Sequence, residues 1–265
     1  MIIDSHCHLD DSSFDEDRDA VIASAREAGV GLMMAIGTGD GPPVLDCAIR
    51  LAERYPEVYA TLGVHPHDSA IAGDATTAEL ERLAAHPKIL AVGEIGLDYH
   101  YDHSPRDVQR RVFVEQLDLA RRLRKAIVIH TREAWDDTMS ILEAHWKGAG
   151  LGGIMHCFSG DASQAQRALD AGFHISFAGV VTFRRAEELR EAAAAVPLDR
   201  LLVETDAPYL TPEPFRKIRR NEPRFVVETA RRVAEVRGVE FEAVAEATTR
   251  NFLRLFDLPV PEQGV

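Results

Sequence analysis

The chain has 265 residues, of which 46% are hydrophobic and 28% are charged, and its formal net charge is −13. This length suits one large domain with a substantial buried core, so we expect residues 1–265 to form a single domain. The acidic balance argues against a nucleic-acid coat protein or a protein that binds anionic membranes, because both need a basic field. It does not exclude a nuclease whose metal ions supply local positive charge.

The N-terminal residues and the cysteines indicate a cytoplasmic protein. No apolar run is long enough to cross a bilayer, and the three apolar residues at the N-terminus are followed at once by Asp4, unlike a signal peptide. Cys7, Cys47 and Cys157 are odd in number and widely spaced, so they form no disulfide framework. We therefore predict a reducing compartment and no membrane segment.

Eight short apolar runs predict strands that are buried on both faces. They cover residues 1–4, 31–36, 58–64, 89–93, 126–129, 153–156, 173–177 and 201–205. Amphipathic segments with helical spacing lie between them, of which residues 107–125 are an example. This alternation predicts a closed (β/α)8 barrel, a TIM barrel, with a final helix over residues 240–255 packed outside it. An open doubly wound sheet is the alternative architecture.

Histidines and acids follow the predicted strands at their carboxyl ends, where barrels of this kind carry their chemistry. They are His6, His8, His65, Glu94, His130, His156 and Asp206. A single histidine in such a place is more often a hydrogen-bonded interior residue than a ligand. Together, however, these groups would compete for partners in a buried site, which favours a metal site at the carboxyl ends of the strands. The set exceeds the needs of one tetrahedral ion, so we predict two divalent ions such as magnesium, manganese or zinc.

Four neighbouring residues have weaker signals. Cys7 and Cys157 adjoin proposed ligands, but strand alternation turns them away, so we expect buried, small apolar side chains. Glu204 lies two residues before Asp206 and faces the same side, which suits either a carboxylate that orients a histidine or a satisfied interior acid. Asp98 either orients a ligand or water or is a turn carboxylate.

Six stretches in order resemble one family. They are DSHCHLD at 4–10, GVHPH at 63–67, GEIGLDY at 93–99, VIHTR at 128–132, HCFSG at 156–160 and ETDAPYL at 204–210. Over nearly its whole length the chain resembles the TatD-type metal-dependent deoxyribonucleases, which are related to the amidohydrolases. The resemblance implies a (β/α)8 barrel with a divalent-metal centre in which Glu94 reaches both ions. It also implies the ligands His6, His8, Glu94, His130, His156 and Asp206.

The predicted reaction is hydrolysis of DNA phosphodiester bonds, as an exonuclease on single-stranded ends, by a metal-activated hydroxide. Asp206 would accept the proton of the attacking water and pass it to the leaving oxygen. Glu94 and Asp206 are the predicted catalytic residues.

His65 and Arg132 are predicted to contact phosphate. For His65 the alternative is a structural hydrogen bond, and for Arg132 it is an ion pair with Glu133 or Asp136. His67 is interpreted as a loop residue.

A basic run follows the eighth predicted strand. Residues 215–224 carry five cations, Arg216, Lys217, Arg219, Arg220 and Arg224, against the single acid Glu222. Arg216 is a predicted substrate contact by resemblance, but Lys217 stands where the family commonly has glycine, and a positive φ there would strain a lysine. We expect the run, with Phe215 or Tyr209 as stacking platforms, to bind a DNA strand. A solvated loop that pairs with the acidic excess is the alternative.

The sequence is also compatible with other functions. A small-molecule amidohydrolase or esterase could use the same ions on a carbonyl, because fold and metal centre do not choose the electrophile. Related folds include deacylases of mischarged transfer RNA. A metal-binding module without activity is a third interpretation.

Overall fold

An eight-stranded parallel sheet forms the centre of the molecule, with the strands in chain order. A computed structural model describes residues 1–39 and 41–260. The strands are β1 Ile2–Cys7, β2 Val30–Ala35, β3 Val58–Leu62, β4 Ile89–Asp98, β5 Ala126–Arg132, β6 Gly153–Met155, β7 His174–Phe177 and β8 Leu201–Val203. Each of the eight predicted apolar runs contains or overlaps one of them.

Hydrogen bonds between β1 and the residues after β8 close the sheet into a barrel. The backbone N–H of Asp206 donates to the carbonyl of His6 at 2.9 Å, and that of His8 donates to the carbonyl of Ala207 at 2.7 Å. The predicted closed barrel is therefore confirmed, and the alternative of an open sheet is wrong.

Three strands extend past their predicted ends. β1 continues to Cys7, β4 to Asp98 and β5 to Arg132. The predicted ligands His6, Glu94 and His130 therefore lie inside these strands rather than just after them. The apolar runs stop earlier because polar side chains occupy the carboxyl end of the barrel, which the apolar pattern does not register.

Helices separate successive strands and cover the outside of the barrel. They are α1 Arg18–Glu27, α2 Cys47–Arg54, α3 Asp74–Leu83, α4 Arg106–Leu123, α5 Trp135–His145, α6 Ala162–Asp170, α7 Glu187–Ala195, α8 Val226–Arg237 and α9 Phe241–Leu255. The helices predicted over 107–125 and 240–255 correspond to α4 and α9. No helix in the described part of the chain has the length and hydropathy needed to span a membrane.

The barrel interior is apolar at the amino ends of the strands. Ile3, Ala91 and Leu202 belong to a buried cluster that α9 joins through Phe252 and Leu253. Helix α9, the final helix predicted outside the barrel, thus packs over the amino end of the barrel. Since this end is filled by apolar side chains, the polar interior lies at the opposite, carboxyl end, where the site is built.

Candidate metal centre

Glu94 lies buried at the centre of the carboxyl end, and its two oxygens face different histidines. Oε2 lies 3.4 Å from Nε2 of His6 and 3.8 Å from Nε2 of His8. Oε1 lies 2.7 Å from Nδ1 of His130 and 2.9 Å from Nε2 of His156. A single carboxylate therefore joins two groups of imidazoles.

Glycines beside Glu94 allow β4 to approach β5 closely. A side chain on Gly93 would meet Cβ of Val128 at 2.6 Å, and one on Gly96 would meet the carbonyl of His130 at 2.0 Å. Gly96 also has a φ of 142°, which side chains rarely permit. The glycines of the GEIG stretch thus bring Glu94 within reach of His130.

Asp206 completes the group that contains His6 and His8. Its Oδ1 lies 3.6 Å from Nε2 of His6 and 3.4 Å from Nε2 of His8, and these two nitrogens are 3.4 Å apart. Asp206 has a φ of 56°, a conformation uncommon outside glycine, asparagine and aspartate. The turn that imposes it is closed by a hydrogen bond from the N–H of Tyr209 to the carbonyl of Asp206.

The donor atoms of these residues form three groups in which all atoms lie within 4.8 Å of one another. The groups are His6, His156 and Asp206; His6, His8 and Glu94; and His65, Glu94 and His130. Nδ1 of His6 is buried without a hydrogen-bond partner in the described residues. Convergent nitrogen and carboxylate oxygen atoms suit divalent transition ions, so the residues present fit a metal centre.

Glu204 contacts the ring nitrogen of His156 that does not face Glu94. Its Oε1 accepts hydrogen bonds from Nδ1 of His156 at 3.0 Å and from the N–H of Cys157 at 2.6 Å. The first contact directs Nε2 of His156 toward Glu94. This geometry favours the orienting role over that of a plain interior acid.

Asp98 both orients a predicted ligand and forms a turn. Its Oδ2 lies 3.1 Å from Nε2 of His130 and 3.0 Å from Nε2 of His67. Its Oδ1 accepts the backbone N–H groups of His100 and Tyr101 and so forms the turn after β4. Asp98 therefore orients His130 through the nitrogen that does not face Glu94. His67 lies in the segment between β3 and α3, in agreement with its interpretation as a loop residue, and it also contacts Asp98, which the sequence did not predict.

Two buried glutamines of α4 hold the backbone near the site. Gln116 accepts the N–H of Val64 at 2.7 Å and donates to the carbonyl of Val64 at 3.0 Å. Gln109 makes the same pair of bonds with the backbone of Asp98, at 2.8 and 3.0 Å. The sequence pattern did not identify these residues, because a glutamine on a helix carries no signal of its partner.

Buried charges of opposite sign stabilise one another in the cluster. Burial alone would raise the pKa of Glu94, but His156 and His6 hold that pKa well below its usual range. Burial alone would lower the pKa of His156, but Glu94 and Glu204 raise it well above its usual value. The carboxylate of Glu94 is thus kept ionised in a buried place, as a cation ligand must be.

His65 lies among the groups that could hold a metal, although the sequence predicts a phosphate contact for it. Its Nε2 is 3.7 Å from Oε1 of Glu94, and its Nδ1 accepts the N–H of His67 at 3.2 Å. Burial, together with the nearby His130, lowers the pKa of His65 well below its usual value. A neutral imidazole is the form that coordinates cations.

Arg132 and Arg216 make no hydrogen bond or ion pair with the residues of the cluster. The guanidinium carbon of Arg132 lies 4.8 Å from the ring centre of Tyr101, and that of Arg216 lies 3.9 Å from the ring centre of Phe183. Neither arginine has an ion-pair partner among the described residues. The alternative ion pairs of Arg132 are absent from the described residues, because Glu133 pairs with His100 and Asp136 with Arg167.

The backbone angle of Lys217 and the burial of the two cysteines near ligands bear on three further predictions. Lys217 is not among the residues with positive φ, so lysine fits this position without the strain considered above. Cys7 is fully buried as predicted, and its thiol donates to the carbonyl of Met34 at 3.5 Å. Cys157 is only partly buried, which corrects the prediction, because it lies in a left-handed turn with a φ of 43°.

A family model described as TatD related DNase matches residues 3–257. The chain belongs to the TatD family. The uncharacterized metal-dependent hydrolase YabD of Bacillus subtilis (strain 168) is 41% identical, with 97% of this chain and 99% of that protein covered. The 3'-5' ssDNA/RNA exonuclease TatD of Salmonella typhimurium is 38% identical, with 97% and 99% covered.

A solved structure agrees with this assignment. The TatD homologue YjjV of Escherichia coli K12 superimposes with a TM-score of 0.89 at 32% identity, with 97% of this chain and 98% of that one covered. The protein is therefore a TatD-family metal-dependent hydrolase with the (β/α)8 barrel that the sequence predicts.

Proposed function

We propose that this TatD-family hydrolase cleaves phosphodiester bonds at the ends of single-stranded DNA with two divalent cations. The position of Glu94 carries the proposal, because one oxygen faces His6 and His8 while the other faces His130 and His156. A shared carboxylate of this kind suits paired cations, which are common in nucleases and phosphatases. The name of the Salmonella typhimurium relative also supports a nucleic-acid substrate.

The proposed ligands divide between the two oxygens of Glu94. By their distances to these oxygens, His6 and His8, with Asp206, would hold one cation with Oε2. His130 and His156 would hold the other with Oε1, with His65 beside them. A bound divalent cation supplies Lewis acidity toward a phosphoryl oxygen and lowers the pKa of a water toward neutrality.

Asp206 is the proposed general base. It is only partly buried, so its carboxylate faces both the cluster and the solvent side of the site. Burial alone would raise its pKa, but the hydrogen bond with His8 and the nearby histidines lower that pKa, so the carboxylate is ionised near neutral pH. In the proposed step, Asp206 accepts a proton as water oxygen bonds to phosphorus, and it returns that proton to the leaving oxygen as the phosphorus–oxygen bond breaks.

Arg132 is the proposed contact for the phosphate. Its guanidinium is exposed and lacks a carboxylate partner in the described residues, and Arg132 lies two residues after His130 on the same strand, β5. An arginine without a partner can give two parallel N–H groups to a phosphate.

A carbonyl hydrolase is the competing function, since the same ligands can activate water for attack on an ester or amide. Incubation of metal-loaded protein with end-labelled single-stranded DNA, the matching duplex, an RNA of the same sequence and a p-nitrophenyl carboxylate ester separates the two. We expect stepwise shortening of the single-stranded DNA and little turnover of the carboxylate ester. Hydrolysis of the carboxylate ester alone would overturn the proposal, and deacylation of an aminoacyl RNA end without loss of nucleotides would assign the site to that reaction.

A further inference from the structure

Tyr209 presents an exposed aromatic ring beside the metal centre. It follows Asp206 by three residues, and its ring centre lies 5.9 Å from that of His8 in an edge arrangement. The residue is 54% exposed, although an aromatic ring gains most from burial. No ring other than that of His8 contacts it among the described residues. One aromatic surface thus remains open next to a proposed ligand.

The backbone of Tyr209 is held rigidly by Asn221. The side-chain amide of this fully buried residue donates to the carbonyl of Tyr209 at 2.5 Å and to that of Thr205 at 2.9 Å. The N–H of Tyr209 donates in turn to the carbonyl of Asp206 at 2.8 Å. With the backbone fixed, only the two side-chain torsions of Tyr209 remain to be ordered, so little conformational entropy is lost when a planar ligand stacks on the ring.

The loops after β7 and β8 pack against each other on this side of the mouth. A side chain on Gly179 would meet the carbonyl of Leu210 at 2.2 Å, and the N–H of Glu213 donates to Oγ1 of Thr182 at 2.9 Å. The cation of Arg216 on the second loop lies over the ring of Phe183 on the first. The two loops therefore form one surface.

Five exposed cations of these loops, which we call the basic rim, lack a carboxylate partner in the described residues. They are Arg184, Arg185, Arg216, Lys217 and Arg219. Many other arginines of this acidic protein are paired, as in the ion pairs of Arg231 with Glu228 and of Arg232 with Glu235. A group of unpaired cations on a chain of net charge −13 favours an anionic ligand.

The remaining members of the basic run are excluded from this surface. Arg220 makes two hydrogen bonds of 2.7 Å with the carboxylate of Asp17, and Arg224 pairs with Glu222 at 2.8 Å. Phe215 stacks on Phe225 with ring centres 4.7 Å apart. The expectation that these residues bind DNA is therefore corrected: Arg220 and Arg224 stabilise the loop, and Phe215 packs inside it.

Building on the proposed function, we propose that a single strand leaves the metal centre across Tyr209, which stacks one base, and then follows the basic rim. Every base has a π face, so stacking accepts any sequence, and cations along the rim would neutralise the phosphates. The second exposed tyrosine, Tyr101, is a matched control. It is 51% exposed, but Arg132 lies over its ring and His103 stacks on it with the two planes 2° apart.

The first experiment measures binding without hydrolysis. Metal-loaded protein is titrated against a fluorescein-labelled oligothymidylate whose phosphorothioate linkages resist cleavage, and anisotropy gives the Kd. Since stacking of one base contributes about 1–3 kcal/mol, Tyr209→Ala should weaken binding about 5- to 150-fold, while Tyr209→Phe stays close to wild type. Tyr101→Ala should weaken binding less than Tyr209→Ala, because it removes no open ring and acts only through Arg132, the proposed phosphate contact that lies over it. Equal losses in Tyr209→Ala and Tyr101→Ala, or no loss in Tyr209→Ala, would overturn the proposed path.

The second experiment measures the salt dependence of that binding. Each phosphate contact on a single strand adds about 0.7 to the slope of log K against log salt, so Arg216→Ala/Arg219→Ala should reduce its magnitude by about 0.7 to 1.4. The control Arg231→Ala/Arg232→Ala removes the same charge from α8 and should leave the slope unchanged. The same slope change in both double variants would show that only net charge matters and would remove the rim from the path.

The results distinguish an error in the proposed path from an error in the proposed nuclease activity. If wild type shortens DNA while Tyr209→Ala and the rim variant bind as wild type does, the path is wrong and the activity stands. If wild type cleaves no phosphodiester but both variants lose binding as expected, the activity is wrong and the path stands.

Discussion

Glu204 Oε1 accepts hydrogen bonds from Nδ1 of His156 and from the N–H of Cys157, at 3.0 and 2.6 Å. Through this contact Nδ1 of His156 carries a proton in the neutral ring as well as in the charged one, and Nε2, which lies 2.9 Å from Glu94, is the nitrogen that a cation can use. Glu204 is thus placed to set the donor strength of His156.

Glu204→Gln should therefore lower metal affinity by about 10- to 100-fold, because a neutral amide polarises His156 less than a carboxylate does. Isothermal titration calorimetry with the metal measures the change in affinity. Glu57→Gln is the control, since Glu57 pairs with Arg26 at 2.9 Å away from the cluster. Wild-type affinity in Glu204→Gln would refute the orienting role, and a similar loss in both variants would indicate a general effect on the fold.

Asp206→Asn should reduce kcat more than it changes KM. The amide keeps the size of the carboxylate but cannot accept a proton, and loss of a general base commonly costs on the order of 10² to 10⁴ in rate. Initial rates on single-stranded DNA, at metal occupancy verified by elemental analysis, test this. Retention of most turnover at full occupancy would assign the proton to another group.

Metal analysis should find up to two equivalents of a divalent ion per chain, and chelation should abolish turnover. His6→Ala should lower the bound metal before it affects folding, because His6 contributes to two of the three donor groups. His86→Ala is a matched control, since this histidine pairs with Glu53 at 3.6 Å on the outside of the barrel. Full activity of the metal-stripped protein is the result that would contradict the metal centre.

His174 should make the protein less stable in mild acid. It is 4% exposed, neither ring nitrogen has a partner in the described residues, and burial, followed by the charges of Arg200 and Arg254, lowers its pKa to about 4. Because the unfolded chain binds this proton near pH 6.5, the unfolded state gains protons first, and stability falls as pH decreases from about 6.5 to 4.

Between about pH 7.5 and pH 5, His174 should lower the free energy of unfolding by about 2 kcal/mol. His174→Phe should remove that part of the pH dependence. Urea unfolding at the two pH values measures it. His145→Asn, a change at the end of α5, serves as the control. An identical pH dependence in wild type and His174→Phe would show that His174 binds its proton equally in the folded and unfolded states, so that burial does not lower its pKa.

Arg220 should contribute to stability rather than to DNA binding. Its guanidinium bonds to Asp17, lies over the ring of Phe14 and donates to the carbonyl of Ser13. Arg220→Ala should cost about 1 kcal/mol, with about 0.5–1 kcal/mol of coupling to Asp17 in a double-mutant cycle, because the pair is partly exposed. The salt slope of DNA binding should not change, and a slope reduced by one phosphate contact would show that Arg220 contacts DNA as well.

The sequence by itself determined the eight strands and the set of polar residues near their carboxyl ends. A strand covered on both faces must be apolar along its length, so each one is visible as a short run such as 126–129. The positions of His6, Glu94 and His130 just after the ends of these runs marked the candidate ligands, since buried polar groups are costly without partners.

Only the tertiary structure decided which of these residues meet, and which cations are free. Asp98 joins His67 to His130 because β4 and β5 are neighbours, and Arg220 rather than Arg219 reaches Asp17, a residue more than two hundred positions earlier. The closure of the amino end by α9 is of the same kind. Periodicity reports local burial, whereas ion pairs and contacts between distant segments depend on the path of the loops, and no pattern of residues along the chain records that path.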